Sequence, residues 1–337
     1  MKLRLFFIVS VVFISAAYAR AGESGPELLA EKRKSYSKSY PLGSGDKVRL
    51  NNQFGEMKII PWDKNEIKVD ITIVTKASTD EYAQKIMDHI SIEDGKNGST
   101  VFFKTKMSGN DNDNHRDKKD KSEYKEQSMK IDYAVYMPVS TTLDASNQFG
   151  PMIVPDYRGN LNIESKFGSL TAGKLTNVEE VDVEFGKATI ESVTGGRVTI
   201  KFSSGEVKNL YGDVDMRIEF CGKLKVGINN SVKDFDLRTS YSTVYLDATN
   251  DLSAAFDIRT SFGDFNNKTS FTIKEDRDDD DDRHGPKFDK NFKGNAGNGS
   301  NQIKIRSEFG EVILGHNLQV DFSEKNDKKK EKNTRVI

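Results

Sequence analysis

Apolar and polar positions alternate along this chain in short stretches, and most stretches end on an aromatic residue followed by a small one. Leu161 and Ile163 lead to Phe167, Val181 and Val183 to Phe185, Val198 and Ile200 to Phe202, and Ile303 and Ile305 to Phe309. Period-2 alternation of this kind predicts β-strands with one buried face. The aromatic-small pairs are Phe54-Gly55, Phe149-Gly150, Phe167-Gly168, Phe185-Gly186, Phe202-Ser203, Phe220-Cys221, Tyr241-Ser242, Phe262-Gly263 and Phe309-Gly310. From residue 149 onward they are separated by 18, 18, 17, 18, 21, 21 and 47 residues, the last interval lengthened by a polar insertion. A repeat of this length governs the fold.

After each aromatic the apolar parity slips. The next apolar positions come three and five residues later, as in Met57 and Ile59, Met152 and Val154, Leu170 and Ala172, Ala188 and Ile190, Val244 and Leu246, and Val312 and Leu314. A slip at a glycine or small residue is what a bulge or corner does to the pleat. Another apolar residue often follows eight after the aromatic (Tyr157, Leu175, Val193, Leu210, Ile228), beside turn residues such as Gly195-Gly196 and Asn229-Asn230. One unit is therefore strand, corner, strand, turn. Units that bury so little alone must stack, which predicts an all-β fold: a single-stranded parallel β-solenoid, or β-helix, of about 18–21 residues per coil. Because the aromatic continues the buried parity of the strand before it, Phe167, Phe185, Phe202, Phe220, Tyr241, Phe262 and Phe309 are expected to form one interior ladder. The alternative is an antiparallel meander or sandwich with each pair at a hairpin tip. It would leave large apolar rings in water and lacks the usual two-residue turn chemistry.

Outside the repeat, residues 66–75 and 129–137 alternate cleanly and predict two more strands. Between them Ser78-Thr79-Asp80 can cap a short helix whose Tyr82, Ile86 and Ile90 share a face. This region is the expected N-terminal β-rich cap. The predicted organisation is a signal peptide at 1–21, N-terminal strands and cap at 45–137 with a polar insertion at 108–127, coils at 138–320 with a polar insertion at 275–301, and a charged tail at 321–337. The polar segments from Ser108 to Gln127, Glu275 to Asn301 and Asp327 to Ile337 are rich in Asp, Asn, Lys and Gly, so loops or tails are expected there.

The signal-peptide reading rests on Met1-Lys2-Leu3-Arg4, a short apolar run from Leu5 to Ala17, and a small-x-small cleavage site at Ala17-Tyr18-Ala19 or Ala19-Arg20-Ala21. It predicts export to the periplasm, the cell surface or the medium. No cysteine follows the cleavage site to carry a lipid. No later stretch nears about 18 apolar residues, so no integral membrane segment is expected after cleavage. With 51 Lys+Arg against 52 Asp+Glu, the net charge of −1 argues against a globally basic nucleic-acid binder. One cysteine among 337 residues excludes an intramolecular disulfide, and Cys221, inside an apolar strand pattern, reads as a buried, inert thiol. His89, His115, His284 and His316 have no metal-ligand spacing. The run Asp278 to Asp282 lacks the spaced ligands, glycine and terminal glutamate of an EF-hand loop, and Gly294 to Gly299 follow no strand and open no helix. No cofactor or metal is expected.

The export signal, a strand ending in Tyr136-Met137-Pro138 and tandem strand-Phe-Gly-strand units together resemble the putative-adhesin domain family of bacterial exported proteins, over about residues 45–320. The resemblance implies a β-solenoid and a cell-envelope or surface setting. It carries no catalytic signature, and the two long insertions depart from a compact coil array.

Stacked coils place equivalent positions in columns. One residue before the aromatic the column alternates in sign: Lys166, Glu184, Lys201, Glu219. Three before it stand Arg217, Arg238, Arg259 and Arg306, with Asp215, Asp236 and Asp257 two residues earlier. The arginines are the candidate ligand face, suited to an acidic polysaccharide or another envelope component because guanidinium groups bind oxyanions bidentately. The competing reading is a lattice in which each arginine is neutralised by a neighbouring aspartate. The coil spacing predicts that Arg238 and Arg259, in successive 21-residue coils, lie side by side. The expected function is a non-catalytic envelope or surface module, adhesin-like in binding or structure. One alternative is a homopolymerising scaffold that self-associates through its coil ends. The other is a polysaccharide-acting β-helix enzyme, for which no converging acids stand out.

Overall fold

The computed structural model describes residues 30–108, 127–276 and 288–322. The expected signal peptide, the acidic run at 278–282, most of the 108–127 insertion and most of the tail lie outside them. The described chain is mostly β, with one short helix and a large, largely parallel sheet.

The alternation seen in sequence builds two rows of parallel strands joined at the aromatic-small corners. Strands that precede the aromatics pair in parallel with one another in one row, which Thr100–Met107 begins. It runs from Thr100–Met107 through Lys47–Gln53, Thr142–Gln148 and Tyr157–Lys166 to Leu210–Glu219, Val232–Ser240, Asn301–Glu308 and Ala254–Ser261. Strands that follow the aromatics make the second row, from Ser128–Met137 and Met57–Pro61 to Thr243–Ala248, Glu311–Gly315 and Asp264–Asn267. Parallel pairing at every step excludes hairpins at the Phe-Gly corners. Most of the apolar residues three, five and eight after the aromatics are buried as the parity slip predicts, Leu170, Ile190, Val193 and Leu246 among them.

Among the aromatic units, spatial order departs from chain order once. Asn301–Glu308 and Glu311–Gly315, the last unit in sequence, insert between the Tyr241 and Phe262 units. The expectation that Arg238 and Arg259 are neighbours is therefore wrong: Arg306 pairs in register with both and lies between them. A 47-residue interval in a 17-to-21-residue repeat carries no mark of where its far end docks.

Antiparallel strands close the ends. Ile90–Asn97 covers Thr100–Met107, Glu66–Ala77 covers Ser128–Met137, and Ala30–Pro41 lies outside Glu66–Ala77. At the opposite end Asp289–Ala296 pairs with Ala254–Ser261 and is covered in turn by Thr272–Glu275. The loop expected over 275–301 is thus partly strand. The segment DKNFKGNA carries few apolar residues, and the backbone bonds offered by the open edge of Ala254–Ser261 outweigh its weak β-propensity.

The helix Asp80–Asp88 forms where expected, with Thr79 Oγ1 accepting from Tyr82 N at 3.2 Å and Asp80 and Glu81 in its first turn. Its buried face is Ala83 and Met87, continued by Ile90 at the start of the next strand, rather than a face centred on Tyr82 and Ile86.

Candidate functional site

The aromatics do form one ladder, but it lies outside the body. Every aromatic of the repeat has a left-handed backbone, with φ between 48° and 65°. That conformation swings the side chain out of the strand alternation, so the parity of the preceding residues does not extend to it. From Phe149 to Phe309 the rings of the repeat are 45–54% exposed. They lie nearly parallel, with centroids 4.6–5.0 Å apart, in the order Phe54, Phe149, Phe167, Phe185, Phe202, Phe220, Tyr241, Phe309, Phe262. Phe288, from the polar insertion, stacks on Phe262 at 4.7 Å and extends the row. The ridge is roughly 45 Å long, set by the strand spacing. Each ring's faces are covered by its neighbours while one edge meets solvent, so about half of each ring is buried without entering the core.

The small residue after the aromatic serves two geometries. A Cβ on Gly150, Gly168 or Gly186 would come within 2.1, 2.0 or 1.6 Å of the carbonyl oxygen of the glycine one unit before it. Glycine is required there by close backbone approach. Ser203, Cys221 and Ser242 instead turn inward. Ser242 Oγ donates to Ser240 O at 2.7 Å and accepts from Cys221 N at 2.9 Å, while Cys221 Sγ contacts Ile200 O at 3.3 Å. Burial pushes the Cys221 thiol up, as suits an inert thiol.

Two residues before the aromatic, the first two units carry buried asparagines. Asn52 Nδ2 donates to Asn147 Oδ1 at 3.0 Å, and Asn147 Nδ2 lies 3.0 Å from both Gly55 O and Gly150 O. These amides satisfy corner carbonyls where glycine leaves no side chain to do so.

One residue before the aromatic lies the alternating column. Lys166 is 3.7 Å from Glu184, and Lys201 is 3.9 Å from Glu184 and 3.8 Å from Glu219. Three before it the arginines line up as Arg217, Arg238, Arg306, Arg259. Arg238 reaches Asp236 at 3.2 Å, Arg306 reaches Asp257 at 3.0 Å, and Arg217 lies 3.7 Å from Glu219. Much of the column's charge is thus already met by acids, in the manner of the lattice reading. At its acidic end, burial first and the neighbouring Glu184 second push Asp182 up to about 6. Its Oδ1 is buried with no hydrogen-bond partner among the described residues.

The described surface holds shallow depressions rather than a deep cleft. One of about 570 Å³ is lined by residues including Arg49, Phe102, Asp144 and Glu164, and another of about 430 Å³ by Arg197, Asp213, Asp215, Asp236 and Lys304. Among the described residues no three His, Cys, Asp or Glu side chains are placed to hold a metal ion. Tyr36 and Tyr40 both donate to Asp94, the second at 2.5 Å, and that bond followed by burial pushes Tyr40 up to about 12. This clamp ties the outermost strand to the cap.

No protein-family model and no curated protein matches the chain. Among solved structures it is similar to a putative cell adhesion protein from Clostridium sporogenes, at 16% identity over 84% of this chain and 99% of that one, with a TM-score of 0.25. A putative adhesin from Bacteroides fragilis is similar at 9% identity over 84% and 97% of the two chains, with a TM-score of 0.35. A putative adhesin from Parabacteroides distasonis is similar at 11% identity over 84% and 97%, with a TM-score of 0.27. The resemblance expected from the tandem Phe-Gly units is met by these structures. With TM-scores this low, the functional reading rests on the geometry of this chain.

Proposed function

We propose that this chain is an exported, non-catalytic module of the cell envelope or surface, built as a β-solenoid of 17–21-residue coils and adhesin-like in presenting a long lateral face to an acidic polysaccharide or another envelope component. One observation carries the reading: the polar chemistry is laid out in columns along the stacked units instead of converging in a cleft. A column of guanidinium groups at strand spacing suits a linear polyanion whose charges also repeat. Arg217, Arg238, Arg306 and Arg259 are the residues proposed to hold it, with Arg217, Arg238 and Arg306 exchanging their carboxylate partners for ligand oxyanions.

A glycan-array screen of the mature chain tests this, followed by Arg238→Gln/Arg306→Gln, two residues adjacent in register. The expected result is binding of acidic glycans by the wild type and its loss in the double variant, with an unchanged circular dichroism spectrum. Absence of acidic-glycan binding by the wild type, or equal binding by the variant, removes the arginine face and leaves it as strand-register chemistry. Release of shortened or unsaturated products from an incubated polysaccharide would favour an enzyme instead.

A further inference from the structure

The exposed aromatic ridge is the largest feature that the ligand face leaves unused. We infer that it is a dimerisation surface, occupied by the ridge of a second copy of this chain running antiparallel to the first. Area is the first reason. Ten rings, most about half exposed, present on the order of 800 Å² of aromatic surface, above the few hundred Å² that a soluble monomer usually exposes in one patch. That area is also near what each partner of a standard stable interface contributes.

Ring orientation is the second reason. With centroids 4.6–5.0 Å apart and planes within about 10° along the repeat, ring faces are unavailable for stacking on sugar rings. A bilayer fits no better, because the ridge is one ring wide and Glu184, Glu219, Glu308 and Glu311 flank it.

Charge complementarity selects both partner and register. In an antiparallel pair each ridge meets its own reverse, so the column one residue before the aromatics faces itself reversed. Its order is Gln53, Gln148, Lys166, Glu184, Lys201, Glu219, Ser240, Glu308, Ser261. With the two-fold axis between Phe202 and Phe220, all ten rings overlap. Lys201 then faces Glu219 of the partner subunit, and Lys166 faces Glu308 of the partner subunit. Moving the axis onto Phe202 sets Lys201 against itself and Glu184 against Glu219 of the partner subunit. The alternating column thus favours full overlap and penalises a slip of half a step. A parallel pair sets this column against the other flank, where Glu184 meets Lys187 of the partner subunit but Glu308 meets Glu311 of the partner subunit, and nothing is selected.

Sedimentation equilibrium of the full mature chain tests the inference. The expected wild-type species is a dimer at micromolar concentration. Phe185→Asn/Phe202→Asn/Phe220→Asn removes the central rings with the residue that, after glycine, best tolerates the left-handed backbone, and should raise the dimer dissociation constant about tenfold or more. Lys201→Glu leaves every ring and corner in place and should weaken the dimer alone, while Lys201→Glu/Glu219→Lys should restore it. A wild type monomeric at about 100 µM, a dimer indifferent to the triple asparagine variant, open-ended polymers, or failure of the charge swap to restore what Lys201→Glu loses would each overturn the proposal. Glycan binding is read in a separate assay, so either proposal can fail without the other.

Discussion

Replacing Phe185 by alanine and by glycine tests the ladder by the order of two stabilities. A ring buried in the interior costs about 3–5 kcal/mol when truncated to alanine. Phe185 is instead 45% exposed and stacks on Phe167 at 4.9 Å and Phe202 at 4.6 Å. Roughly 100 Å² of the side chain leaves water on folding, which at about 25 cal/mol per Å² gives a loss of about 2–3 kcal/mol for Phe185→Ala. The backbone supplies the sharper test. At φ 55° an alanine keeps the left-handed penalty of about 1–2 kcal/mol, which glycine escapes. Glycine costs only about 0.5–1 kcal/mol in extra unfolded-chain entropy. Phe185→Gly should therefore be equal to or more stable than Phe185→Ala, the reverse of their order inside a strand. Urea melts followed by circular dichroism read both values. A loss above about 4 kcal/mol for the alanine variant would return the ring to the interior, and a glycine variant clearly less stable than alanine would refute the left-handed corner.

Asp182, raised from 3.8 to about 6 by burial and Glu184, binds its proton more tightly in the folded state between those values. Its contribution to stability therefore falls as pH rises through that window and stays low above it. Asp182→Asn should melt higher than wild type at pH 7.5 and equal to it near pH 4, and an unchanged difference across that range would remove the assignment. Gly168→Ala would set a Cβ 2.0 Å from Gly150 O and should cost about 3 kcal/mol or more, or prevent folding; a wild-type melting point would show that the corner relaxes freely. In Arg238→Gln/Arg306→Gln the released Asp236 and Asp257 should lower stability by about 1 kcal/mol, since both pairs lie at the surface and are at most partly buried. A larger fall in a thermal melt would give the column a structural role of its own.

The repeat is legible in the sequence because strand alternation and turn chemistry are local, and nine aromatic-small pairs sample them at near-constant spacing. The alternating Lys166, Glu184, Lys201, Glu219 column follows from that spacing alone. The placement of the rings is not legible by counting parity, since one residue with positive φ reverses which side its side chain takes while its neighbours keep theirs. The inward turn of Ser203, Cys221 and Ser242 carries a hint, because a repeat that needed only a small residue would keep glycine throughout. The docking of residues 301–315 is set by long-range pairing that no interval encodes. Phe288 and Asp289–Ala296 join the body because an open edge accepts a polar strand, a choice made by the rest of the molecule.

The insertion of the last unit between two earlier ones has a consequence for the order of assembly. As a chain emerges from its N-terminus, each unit up to Tyr241 can dock on the one already in place, but Ala254–Ser261 has no proper neighbour on the side facing the earlier units until residue 301 and beyond arrive. The vacant edge is a close imitation of the right one: Leu237, Arg238 and Thr239 occupy the places that Ile305, Arg306 and Ser307 will hold. Premature docking of Ala254–Ser261 there would satisfy nearly the same contacts and would have to be undone for completion. A chain ending before residue 301 would keep the imitation permanently, folded and one unit short, with Arg259 beside Arg238.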